Sequence, residues 1–441
     1  MNERRPHTPH HTDATMTPPT SVTEPAAPPG EATIDLTEPP RPVLGREYLS
    51  LWLATAITNV GDGLRVTALP LLAAAISNQP LSVAAIMFAS KLPWLILALH
   101  VGALVDRFDR GRMIAATNLA RAVVVGAFAV SVHLDVASLS LLYLLAILQG
   151  IGEVFSDSAA FALLPRIVPP ERLEQANGRL EAAVVTTNEF AGPALGGLLF
   201  ATGAALPFAL DSISFLCAAA LVAGIRGGGS VERRQQVSIM SDIREGLSWL
   251  MRKRLLRNLS FIAAATNLWL HAAFAIAVLY ASEILGLGAV GFGLLLSAEA
   301  FGALTGSLLA AQVRSRLGTK RSVMLALGVA GLANIAIAMA SGAIFVGTMA
   351  VLVSFGGGLW NVVTNSLRQN LVPDRLLGRV QSAHRLLSWG AIPIGALLGG
   401  VLAEIFGLRA PFAFAGIALC MLCASAAWVL NDKATQSGQE R

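Results

Sequence analysis

Charge is scarce in this chain. Of its 441 residues 13% are Asp, Glu, Lys or Arg, and 54% are hydrophobic. An ordinary soluble domain carries about a quarter charged residues, so that class is excluded. Lysine is rarer still: Lys91, Lys253, Lys320 and Lys433 are the only four. The three cysteines, Cys217, Cys420 and Cys423, all lie in apolar runs. Cys420 and Cys423 have redox-motif spacing but no βαβ context, so they read as small packing residues and no disulfide framework is implied. Aromatics are 6% of the chain, and with so few polar groups beside them a sugar site is disfavoured. Catalytic signatures are missing too. The sequence has no metal-spacing cluster, no Gly-x-Ser-x-Gly turn and no phosphate-binding loop. His7, His10 and His11 sit in a polar segment and read as solvated. The chain is expected not to be an enzyme, to hold no metal and to need no cofactor.

What is present is length of apolar sequence. Mean hydropathy is +0.63, and runs of roughly 20 apolar residues, enough to cross a bilayer, recur along nearly the whole chain. Twelve spans are expected, at about 48–76, 81–105, 113–134, 138–163, 181–203, 205–225, 258–282, 289–312, 321–341, 343–366, 380–405 and 409–430. A bilayer offers no partner for a free backbone amide, so each should be a helix. Residues 1–45 are rich in Pro, Thr, Glu and His and lack a signal peptide's apolar core. They are expected to be a disordered cytoplasmic tail, with a second short tail at 431–441.

The cations set an orientation. Of 32 Lys and Arg residues, 27 fall in the tails and the even-to-odd loops. The opposite loops hold Arg409, and Arg65, Lys91, Arg121 and Arg385 fall inside spans. This asymmetry places both termini in the cytoplasm. It also accounts for a net charge of +5 without nucleic acid. The longest internal loop, 226–257, separates a first six-helix half (46–225) from a second (258–430). Ile243, Leu247, Leu250 and Met251 stripe one face of a helix within it, which is expected to lie on the inner leaflet.

The halves repeat. Pro170-Glu-Arg-Leu173 matches Pro373-Asp-Arg-Leu376, and Gly192-Pro-Ala-Leu-Gly-Gly197 matches Gly395-Ala-Leu-Leu-Gly-Gly400. Ala311–Arg321 is a worn copy of Gly102–Arg112. Repeated halves around a midplane site are a mark of secondary transporters.

On these residues the chain resembles the major facilitator superfamily over about 46–430. Gly102, Leu104, Asp106, Arg107, Arg110 and Arg112 look like its motif A, with Asp109 where Gly is usual. That departure, with Asn59-Val-Gly-Asp-Gly63, Leu164–Leu173 and Pro373–Arg379, resembles the bacterial branch of enterobactin exporters and macrolide efflux proteins. Gly192, Pro193, Gly196 and Gly197 look like the antiporter motif C. Gln149-Gly150-Ile-Gly152 looks like the end of motif B, but its usual Arg is Ala146 here, and Arg121 or Arg65 is left to supply that cation. The resemblance implies an all-α membrane fold of two pseudo-symmetric halves in the bacterial inner membrane. It also implies that motif A latches an inner gate, and that a proton gradient is the energy source.

Charges inside spans need a reason, since each costs roughly 2.5–3.5 kcal/mol on insertion. Asp62 and Arg65 share a face of helix 1, and Glu153 and Asp157 share one of helix 4. Positions aligned with those two in the second half are Gly357 and Asn361. A carboxylate exposed to each side in turn can carry a proton, and Asp62, Glu153 and Asp157 are the candidates. Equally, Asp62–Arg65 and Glu153–Arg121 would be fixed ion pairs. Asp211 and Glu299 read as structural or pore-lining. The expected function is a monomeric, proton-coupled exporter of a lipophilic small molecule such as an antibiotic, siderophore or other secondary metabolite. A lipid or lysophospholipid flippase, or a membrane sensor, would be built from the same features.

Overall fold

The computed structural model describes residues 44–105, 108–225 and 239–430. The 1–43 and 431–441 tails, the 226–238 part of the central loop, and Asp106 and Arg107 of motif A lie outside them. The described chain is helical throughout, with no strand among the described residues. The first half comprises α1 (Arg46–Ile76), α2 (Pro80–Val105), α3 (Arg110–His133), α4 (Leu139–Ile167), α5 (Leu173–Val184), α6 (Gly192–Thr202) and α7 (Leu206–Val222). After α8 (Ile239–Arg252) follow α9 (Arg254–Phe274), the single turn α10 (Ala277–Leu279), α11 (Ala289–Met339), α12 (Ala343–Leu371), α13 (Asp374–Phe406) and α14 (Ala410–Val429).

Among the described residues eight segments are long and apolar enough to cross a membrane by composition. Four further crossings have local reasons for missing that mark. Asn59, Asp62 and Arg65 lower the hydropathy of α1. The fifth crossing is broken into α5, a π-helical stretch Val185–Ala191, and α6. α7 is apolar but has 17 residues. α11 is two crossings joined at Gly318, where φ is 74°. The architecture is therefore twelve crossings in two halves of six.

Local chemistry sets many of the ends. Asp109 Oδ1 accepts from the Arg112 amide at 2.8 Å and caps α3. The repeat places Gly318 where the first half has Asp109, so one copy starts its helix with a side-chain cap and the other with a left-handed glycine. Ser138 caps α4 by accepting from the Leu141 amide. Pro207 and Pro411 sit in the first turns of α7 and α14, where a missing amide costs nothing. Pro193 lies within helical backbone that runs unbroken from α5 through the π stretch into α6, and it removes one amide there. The irregular backbone is the π stretch before it.

The α8 stripe corrects one expectation. Leu250 is fully buried, and Leu247 and Met251 pack with it against Leu376, Val380 and Ala383 of α13. A Cβ on Gly246 would lie 2.3 Å from the Arg379 carbonyl oxygen, and Arg379 pairs with Glu245. These residues of the central helix are held by protein rather than by the inner leaflet.

Candidate functional site

A cavity of about 640 Å³ lies between the halves. α1, α2, α3, α4 and α5 build most of its wall, and Phe274, Ala275, Val278, Phe292 and Trp389 close it from the second half. Its lining runs down to Leu51, Leu164, Asn177 and Glu181, at the end of the bundle that carries motif A. At the opposite end the halves touch through glycines. A Cβ on Gly197 would fall 2.4 Å from the Ala289 carbonyl oxygen, one on Gly293 2.4 Å from that of Pro193, and one on Gly400 2.8 Å from the Leu81 Cα. Ser297 Oγ donates to the Phe190 carbonyl oxygen at 2.8 Å across the same seam.

One wall holds a charge network. Asp62 accepts from Arg65, one turn away on α1, and from Arg121 Nη2 of α3 at 2.8 Å. Arg65 Nε donates to Asp211 Oδ2 of α7 at 3.0 Å. Arg121 Nε donates to Gln149 Oε1 of α4 at 3.0 Å, and its guanidinium lies 4.0 Å from the centroid of the Phe215 ring. Two carboxylates face two guanidiniums, so the cluster is neutral. Buried pairs of this kind persist because removing either partner strands the other.

Small residues make the room. A Cβ on Gly61 would meet Asp211 Oδ1 at 2.4 Å and Ser214 Oγ at 2.3 Å. On Gly152 it would meet Arg121 Cγ at 2.6 Å. On Gly63 it would meet the Gly192 Cα at 2.8 Å, and on Gly196 the Leu64 carbonyl oxygen at 2.7 Å. The Asn-Val-Gly-Asp-Gly run of α1 and the motif C glycines are thus two sides of one close helix crossing. Gly192 and Gly196 serve α1, while Gly197 serves α11 in the other half. Asn59 Oδ1 accepts from Asn188 Nδ2 at 2.9 Å beside that crossing.

The other candidates sort by position. Glu153 takes Lys91, at 3.8 Å, and the Trp94 indole N–H, at 3.3 Å, rather than Arg121. Asp157 is exposed on the cavity wall. Arg121, not Arg65, supplies the cation next to Gln149, where Ala146 lacks one. Of motif A, Gly102 falls in the last turns of α2, Arg110 is buried, and Arg112 is exposed with its amide in the Asp109 cap. Two groups escaped the sequence reading as members of the site. Asp211 joins it through Arg65, and Asn118 lines the cavity with its Oδ1 unpartnered.

Comparison with known proteins agrees with this architecture. The family described as transmembrane secretion effector matches residues 39–437. The multidrug efflux pump Tap of Mycolicibacterium fortuitum is 28% identical over 390 residues, covering 86% of this chain and 94% of that protein. Its namesake in Mycobacterium tuberculosis is also 28% identical over 390 residues, covering 86% of this chain and 91% of its own. Among solved structures, an inward-facing bacterial homologue of the iron transporter ferroportin superposes with a TM-score of 0.69 at 21% identity, covering 88% of this chain and all of that one. An inward-facing bacterial homologue of the lysosomal transporter Spinster gives 0.66 at 15% identity, covering 88% of this chain and 96% of its own. At such identities these structures speak for the fold alone. The relatives and fold neighbours are transporters, not enzymes.

Proposed function

We propose that this chain, which belongs to the transmembrane secretion effector family and is a multi-pass membrane exporter of the major facilitator fold, expels lipophilic small molecules in exchange for protons. The observation that carries the reading is the Asp62–Arg65–Arg121–Asp211 network on the wall of the cavity between the halves. A proton added to Asp62 would leave two guanidiniums facing one carboxylate. The hold of α1 on α3 would weaken, and the balance between cavity states would shift with it. Interactions of this sort are worth roughly 3–5 kcal/mol when one partner is lost from a buried pair, enough to drive a two-state change. Glu153 and Asp157 face the cavity from α4 and extend the route a proton would follow. The apolar residues of the wall, among them Leu51, Leu69, Ile86, Phe161, Phe274 and Phe292, suit a lipophilic cargo, and the similarity to multidrug efflux pumps favours a broad one.

The orientation belongs to the same reading. With the basic loops inside, the cavity opens to the cytoplasm of a bacterial inner membrane and the glycine seam closes the outer side. A monomer suffices, since each half supplies part of the cavity wall.

The test is export from proteoliposomes under an imposed pH gradient, with proton movement recorded beside cargo movement. The wild-type protein should move both, and Asp62→Asn should abolish cargo-driven proton flux while the protein still elutes as a folded species. Wild-type export rates by Asp62→Asn would overturn the proton assignment. Movement of a labelled lysophospholipid without protons would identify a flippase instead.

A further inference from the structure

We propose that the cargo is a lipophilic cation bearing an N–H group, held by the Asp157 carboxylate and the Asn118 side-chain oxygen. The inference rests on the export reading and names its substrate class.

The argument begins with charge. Arg65 and Arg121 on the cavity wall are matched by Asp62, also on the wall, and by Asp211 behind it. Lys91 lies beside Glu153. Asp157 and Glu181 remain, both exposed to the cavity and neither in an ion pair among the described residues; Arg121 and Lys91 act on Asp157 only from beyond contact distance, and each already has a carboxylate of its own. The second half contributes only apolar residues and Trp389 to the lining. Arg385 stacks 4.4 Å from the centroid of that ring and is not part of the wall. The wall therefore has an excess of negative charge.

Asn118 is the independent observation. It is 2% exposed, it lines the cavity, and its Oδ1 accepts from nothing in the protein. A buried acceptor without a partner is costly, so a ligand that brings a donor gains where an apolar or anionic one loses. The two groups also lie at similar depth. α3 and α4 meet where Arg121 crosses Gly152. Asn118 is three residues from Arg121 and Asp157 five from Gly152, both toward the motif A end. At a rise of about 1.5 Å per residue these offsets differ by only ~3 Å along the axes. Phe161, 81% exposed and on the same cavity, offers a ring face to a cation. The cavity volume falls within the range that takes a drug-sized molecule.

Two probes of equal size and opposite sign test the charge: tetraphenylphosphonium and tetraphenylborate, titrated onto the purified full-length protein. The cation should bind at least about tenfold more tightly. Asp157→Asn should lose about tenfold for the cation, and Asp157→Glu should restore it. Asn118→Leu should weaken ethidium, which has N–H donors, and leave tetraphenylphosphonium, which has none, unchanged. Equal or tighter binding of the borate, or full cation affinity in a folded Asp157→Asn protein, overturns the inference. A vesicle assay separates the two readings. If neutral Nile red is exported under a pH gradient while ethidium is not, export stands and the cationic class falls. If neither moves, the export reading fails, and the binding titration still decides the class of ligand.

Discussion

At the scale of residues, the site depends on glycines as much as on charges. Gly61 leaves space for Asp211 Oδ1, which in turn lets Asp211 Oδ2 reach Arg65. Gly61→Ala is therefore expected to push α7 off α1 and break that contact. Overpacking of this kind costs about 1–3 kcal/mol, which a lowered midpoint in a thermal unfolding scan would register; an unchanged midpoint would mean that α7 moves freely. Arg121→Lys is expected to be nearly as harmful as Arg121→Ala for export. One ammonium cannot reproduce a guanidinium that bonds Gln149 through Nε, bonds Asp62 through Nη2 and lies over Phe215. Transport by Arg121→Lys at the wild-type rate would contradict this. Sequence spacing exposed part of the network and hid the rest. Asp62 and Arg65 stand three apart, so their sharing a face follows from the helix alone. Arg121 and Asp211 lie 59 and 146 residues from their partners. No periodicity fixes how separate helices rotate against each other, and so Asp211 reads as structural or pore-lining from the sequence rather than as a partner of Arg65.

At the scale of elements, a pattern can define a face without saying what covers it. The stripe of α8 is plain in the sequence, and a lipid surface was the natural partner for apolar residues beside basic ones. The covering surface is instead the start of α13, whose Leu376 and Val380 meet Leu250. Leu250→Ala should cost roughly 2–5 kcal/mol of local stability if the gap does not collapse. The expected readout is faster proteolysis within 226–257, with the transmembrane helices left intact; an unchanged cleavage rate would place α8 loosely on the bundle. The fifth crossing teaches the same point. Pro193 lacks the amide that would continue the regular ladder, and the π stretch Val185–Ala191 lies immediately before it, but the proline alone does not say which form the irregularity takes. The kink at Gly318 was legible, because the worn motif repeat at Ala311–Arg321 already separated two spans.

At the scale of the whole molecule, the cation asymmetry and the glycine seam bear on orientation and state. On the proposed orientation, with the basic loops inside, a single cysteine in place of Ser230 should react with a membrane-impermeant thiol reagent only from the cytoplasmic side. Labelling from outside in intact cells would invert the topology. The seam then decides which cavity state is favoured. Gly197 and Gly293 allow the backbone of α6 to lie against that of α11, and small residues that permit such approaches are a main source of helix association in membranes. An added methyl at Gly197 would sit 2.4 Å from the Ala289 carbonyl oxygen, and neither neighbour is a flexible side chain that can give way. Gly197→Ala should therefore destabilise closure at this end and raise the population open on the far side. Ser297 is buried against Phe190 across the seam, so a Ser297→Cys reporter should label slowly in an otherwise unaltered protein and severalfold faster with Gly197→Ala added. Equal labelling would mean that the seam opens by a hinge elsewhere, and that motif C shapes the first half alone.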